Sequence, residues 1–165
     1  MLHKGKKCFL TRLGTDMELA HYASRQHTRH AEAMSLRGDA VLESRLLLFA
    51  SQTSRDTVAL GELILRLGGA PHVSKRPIEY CETLGQMLYA DFAGEDDAAR
   101  RLDVRRRQAI HIGRPGVAFK LLALCAAAEE RAAQLHEILN DHIQNCDVCI
   151  SKGRITTHDR RTIPN

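Results

Sequence analysis

The chain has no tryptophan, and aromatic residues make up only 4% of its 165 positions. A core without large rings must be built from Leu, Ala, Ile and Val, which suits helices better than sheets. No run of 18 apolar residues exists, so no membrane span is expected. The opening residues Met1 to Lys7 are basic and lead into no signal-type apolar stretch, so secretion is not expected either and a cytoplasmic location is. Charge of one sign is missing too. The excess of 24 basic over 20 acidic residues gives only +4, too little to indicate a nucleic-acid partner. The five cysteines, Cys8, Cys81, Cys125, Cys146 and Cys149, are odd in number and scattered, unlike a secreted disulfide framework.

What is present is helical periodicity. Thr15-Asp16-Met17-Glu18 has the form of a capping box and predicts a first helix starting near Thr15 and ending near Arg37-Gly38. A second helix is expected from about Ala40 to Leu67, carrying apolar residues at Val41, Leu42, Leu46, Phe49, Val58, Leu60, Leu63, Ile64 and Leu67. It stops at Gly68-Gly69-Ala70-Pro71. Residues 70–82 hold two prolines and little periodicity, and read as one long connection. A third helix follows from about Thr83 to Ile112. A fourth opens at Arg114-Pro115-Gly116 and runs to about Ile143. Hairpin, long crossover, hairpin is the connectivity of an antiparallel ferritin-like four-helix bundle, all-α. One domain over 1–145 is expected, with a polar basic tail over 146–165 that holds a short fifth helix or none.

Several words then resemble bacterioferritins in order and spacing. They are His3-Lys4-Gly5, Gln26 with His30-Ala31, Arg37-Gly38, the run from Glu62 to Pro71, and the run from Gln86 to Glu95. The resemblance covers roughly residues 3 to 145. It implies a subunit of a hollow cage that stores iron, through self-association or with another ferritin-like subunit, and it implies iron as cofactor. In such bundles a di-iron centre takes one Glu from each of two helices and a Glu-x-x-His from each of the other two.

Carried over residue by residue, those ligand positions fall on Ala20, Thr53, Asp56, Glu95, Ala128 and Arg131. Glu95 alone keeps the ligand type, and Asp56 can substitute for a histidine. A guanidinium stays charged and cannot ligate a cation, so Arg131 is expected to pair with Glu95 or Asp56 in place of the metals. A one-residue register slip would instead bring in Glu129 or Glu130, and a two-residue slip would bring in Glu18. The position of the family's haem methionine reads Ser54, so haem is not expected, and Met34 and Met87 read as packing residues. The resemblance thus implies an iron-storage or iron-homeostasis subunit with its ferroxidase centre largely lost. Against it stand an active ferroxidase with an atypical site around Asp56, Glu95 and the first-helix histidines, and a non-storage scaffold that binds another protein.

Three features carry chemistry outside that pattern. His27 and His30, one turn apart, suit a soft or borderline metal, although surface or subunit-contact roles are the commoner use. Cys146-Asp147-Val148-Cys149 is a lone C-x-x-C with metal or redox capacity. Arg100, Arg101, Arg105, Arg106, Arg107 and Arg114 form a basic cluster with no aromatics beside it. It reads as a solvated or subunit-contact face, and nucleic-acid binding is not expected.

Overall fold

In a computed structural model the backbone is described for residues 2–156, and side chains for residue 5 and residues 7–145. Four helices follow in order: α1 Leu2–Arg37, α2 Ala40–Arg66, α3 Leu84–His111 and α4 Pro115–Thr156. No strand occurs among the described residues. None of the helices there is long and apolar enough to cross a membrane.

The turns are set by local chemistry. Gly38, Gly68 and Gly113 adopt positive φ of 75°, 76° and 71°, the left-handed conformation that ends a helix and that only glycine adopts without strain. Asp39 then caps α2 by accepting from the Leu42 amide at 3.0 Å. Thr83 caps α3 in a capping box with Gln86. Pro115 is the first residue of α4, where its missing N–H costs nothing.

Two expectations are corrected. The first helix does not start near Thr15 but runs through it from Leu2. Inside the helix the Thr15 hydroxyl donates to the Thr11 carbonyl at 3.3 Å, the usual alternative for a mid-helix threonine. The extra turns exist because Phe9, Leu13 and Met17 repeat at i, i+4 and i+8 and are all buried. The fourth helix does not end near Ile143 but continues to Thr156, so the segment after 145 begins as helix and carries Cys146 and Cys149 on it. The side chains of both cysteines lie outside the described residues. Of the apolar residues on α2, Val41 and Val58 are 79% and 61% exposed.

The core is split in two. One apolar cluster holds Phe9, Leu13 and Met17 of α1, Leu60, Leu63 and Ile64 of α2, Leu102 of α3 and Leu121 of α4. The other holds Ala31 and Met34 of α1, Leu46 and Phe49 of α2, Leu88 of α3 and Leu135 of α4. Burying each large side chain contributes about 1.5–3 kcal/mol. Along α1 and α4 the chain passes from the first cluster to the second, and along α2 and α3 from the second to the first. α3 is therefore parallel to α2, and residues 67–83 must travel the length of the bundle to connect them. That is the ferritin-like topology.

Candidate functional site

Between the two apolar clusters every helix contributes polar residues at the same level. α1 supplies Gln26, His27 and His30, α2 Thr53 and Asp56, α3 Asp91 and Glu95, and α4 Arg131. Asp91 and Glu95 are one turn apart and so share a face of α3. All of them but Asp56 are at least nine-tenths buried, and the Asp56 side chain is 14% exposed.

These groups join in a ladder of alternating charge. The Arg131 Nη2 donates to Asp56 Oδ2 at 2.7 Å. The same guanidinium donates through Nε to Glu95 Oε2 at 2.9 Å. The other oxygen of Glu95, Oε1, lies 2.9 Å from His27 Nε2. The second ring nitrogen of His27 approaches Asp91 Oδ1 at 3.3 Å. Asp91 also accepts from Gln26 Nε2 at 2.8 Å and from His30 Nδ1 at 2.9 Å. A carboxylate only accepts, so the ring protons face Asp91 and Glu95.

The electrostatics follow from this order. Burial alone would push the His27 pKa down, but the hydrogen bonds and charges of Asp91 and Glu95 outweigh it and raise it to about 9. Burial likewise pushes Asp91 up, and the two imidazoles overcome it, holding Asp91 at about 2. Asp56 is the exception: burial raises its pKa, and Arg131 does not fully offset that. For Arg131 burial acts downward and is outweighed by Glu95 and Asp56, so its charge is held more firmly than in water.

Most of the expected site residues are brought together. Glu95 and Asp56 face each other across the bundle, linked by Arg131, which is only 4% exposed. On α4, Ala128 and Arg131 are buried while Glu129 and Glu130 are exposed. Glu18 is only partly buried. Thr53 spends its hydroxyl on the Phe49 carbonyl at 2.6 Å. His27 and His30 are not surface groups but rungs of the ladder.

Asp91 and Gln26 had no expected role, although Asp91 stands one turn before Glu95 and Gln26 beside His27. Asp16 was also missed. It is 3% exposed and holds Arg101 at 3.2 Å and Arg105 at 2.8 Å. Two arginines of the basic cluster thus fold inward rather than facing solvent. Arg100, Arg106 and Arg107 pair with Asp96 and Asp103.

A cavity of about 470 Å³ opens between α1 and α3 onto the ladder, walled by small residues that include Ala20, Ala23, Ala90 and Gly94. The crossover passes over its mouth. There the Glu79 amide donates to the Tyr22 hydroxyl at 3.0 Å, and Arg25 donates to the Arg76 carbonyl at 3.0 Å. Among the described residues no three His, Cys, Asp or Glu side chains are grouped so as to hold a metal ion.

No family model matches the chain, and no curated protein does. Among solved structures, the ferritin-like, diiron-carboxylate proteins of Bacillus anthracis are similar with a TM-score of 0.77 at 21% identity. The match covers 82% of this chain and 97% of that one. At that identity the likeness establishes the ferritin-like fold.

Proposed function

We propose that this chain is a ferritin-like subunit that contributes structure to an iron-storage or iron-homeostasis assembly, with the place of a di-iron centre taken by an ion-pair ladder. The observation that carries this reading is the Arg131 guanidinium bonded at once to Asp56 and Glu95. The residues present do not fit a pair of iron ions. Glu95 has both oxygens engaged, Thr53 turns its hydroxyl to the backbone, and Ala20 and Ala128 offer no donor atom. A fixed cation in the middle repels any metal that approaches.

The assembly half of the reading draws on the outer face of α2. Val41, Leu48, Val58 and Leu65 are 79%, 50%, 61% and 60% exposed and recur along one side of the helix. An apolar stripe of this length on an otherwise charged surface suits contact with another subunit.

The test adds Fe(II) anaerobically to the purified chain, then oxygen in a stopped-flow instrument, with mass measured by light scattering after size exclusion. The expected result is iron oxidation no faster than in buffer, in a particle of many subunits. A fast, oxygen-dependent phase saturating at about two irons per chain would overturn the loss of the centre. A monomeric mass would overturn the assembly and leave a protein-binding scaffold.

A further inference from the structure

Two ring nitrogens of the buried polar layer have no hydrogen-bond partner, His27 Nδ1, which still lies 3.3 Å from Asp91 Oδ1, and His30 Nε2. His30 gives its Nδ1 proton to Asp91 Oδ2 at 2.9 Å, so in the neutral ring Nε2 carries a free lone pair. His30 is 2% exposed, and its Nε2 meets no hydrogen-bond partner. His30 lines a second cavity, of about 350 Å³, together with Cys81 and Met87. Met87 is one turn before Asp91 on α3, and Cys81 lies two residues before the cap of that helix. Cys81 is a free, half-buried thiol that packs against the cluster containing Met87.

We infer that His30 Nε2, Cys81 Sγ and Met87 Sδ form a binding site for a soft monovalent metal ion, Cu(I). Imidazole, thiolate and thioether together favour a soft ion over iron, magnesium or calcium. A carboxylate bonded to the far side of the imidazole fixes its tautomer and orientation, which is how metal-ligating histidines are usually held. Cu(I) with one thiolate is neutral overall, so the half-buried site takes it up at little desolvation cost, whereas a divalent ion would leave a net positive charge. Asp91 and Glu79 add negative charge near Cys81, which attracts a cation; burial and these carboxylates also push the thiol pKa up, so the metal must displace its proton. The Cu–S bond forms as the Cys81 thiol proton leaves to solvent, and copper keeps its oxidation state. The third donor is a thioether, so the site is no cluster of three His, Cys, Asp or Glu groups. It does not depend on the function proposed above, which rests on Arg131, Asp56 and Glu95; the ladder and this site share His30 and Asp91.

The test uses the full-length chain with Cys8, Cys146 and Cys149 changed to Ser, which removes other thiols open to metal. Cys125 stays; it is buried, with its thiol pushed up to about 11 by burial and Glu129. Cu(I) is titrated anaerobically against a chromophoric Cu(I) chelator, with Zn(II) in parallel. The expected result is one equivalent of Cu(I) retained, with one nitrogen and two sulfurs at the metal by X-ray absorption. Losing an outer-shell partner alone costs about 10–100-fold in affinity, so Cys81→Ser should weaken binding at least about 100-fold. Met87→Leu, which keeps the fold and the thiol, should weaken it about 10-fold and leave one sulfur at the metal. No retained copper, copper held equally by both variants, or Zn(II) held more tightly than Cu(I) would overturn the inference. Should Cys81→Ser fail to fold, Met87→Leu and the sulfur count decide it.

Discussion

Replacing Arg131 by Met removes the central cation of the ladder and nearly preserves side-chain length. Asp56 and Glu95 then face each other with one cation fewer between them, and Glu95 keeps only His27. Removing one partner of a buried ion pair costs about 3–5 kcal/mol. The protein can escape part of that cost by taking up a proton. Asp56 is the group to do so, because burial already raises its pKa above 3.8. Protonating a carboxyl of ordinary pKa at pH 7 costs about 4 kcal/mol, at about 1.4 kcal/mol per pH unit. The two figures agree, so the deficit should be near 4 kcal/mol at pH 7 and shrink by about 1.4 kcal/mol per unit down to pH 5. The folded pKa of Asp56 is raised, so the native state binds the extra proton and stability falls as pH rises. Urea unfolding followed by far-ultraviolet circular dichroism measures this, since the chain has no Trp to report by fluorescence. Arg131→Met with Asp56→Asn should recover more than half of the loss. A single variant within about 0.5 kcal/mol of the parent at pH 7, or a deficit that ignores pH, would refute the ladder as a stabilising unit.

His27 titrates at about 9 in the folded chain against 6.5 for a free imidazole, so its contribution is fully present below pH 6.5 and lost as pH rises through 9. The fall should reach up to about 3 kcal/mol, and His27→Gln should flatten it; an NMR titration of the ring that centres near 6.5 would contradict this. Asp91, held at about 2, contributes stability that is present above pH 3.8 and lost as pH falls through 2. Asp91→Asn should therefore remove that acid limb and cost about 3 kcal/mol at pH 7, both read from urea midpoints at a series of pH values. Arg105→Ala leaves Asp16 with Arg101 alone and should destabilise by about 1–3 kcal/mol, whereas Arg107→Ala, on the exposed side of the same helix, should stay within about 0.5 kcal/mol. Equal losses for the two arginines in thermal unfolding would mean that burial does not separate their roles.

Much of this fold was legible because its boundaries are written in single residues. Gly38 and Gly68 each stand where a helix must end in a left-handed turn, and Pro115 sits where a helix can begin. The start of α1 was not, because Thr15 and Glu18 satisfy the spacing of a capping box whether or not the helix already exists. Only the burial of Phe9 and Leu13 against α2 decides that question, and it is a tertiary fact. In the site, Glu95, Asp56 and Arg131 were readable together because the ligand positions implied by the resemblance fall on them and a buried guanidinium demands an anion. Asp91 was hidden because a lone Asp on a helix is usually solvated. Its partners Gln26, His27 and His30 lie more than 60 positions away in sequence. Arg101 and Arg105 look like any other surface arginines until Asp16 is placed beneath them.

The ladder also changes what the bundle depends on. A bundle cross-linked by a bound metal gains stability with the logarithm of free metal concentration, and it loses its brace whenever supply falls. Here the cross-link from α2 through α4 and α3 to α1 is made of Asp56, Arg131, Glu95 and His27. It arrives with the polypeptide itself, at full stoichiometry from the moment of synthesis, with no loading step to wait for and no competitor to strip it away.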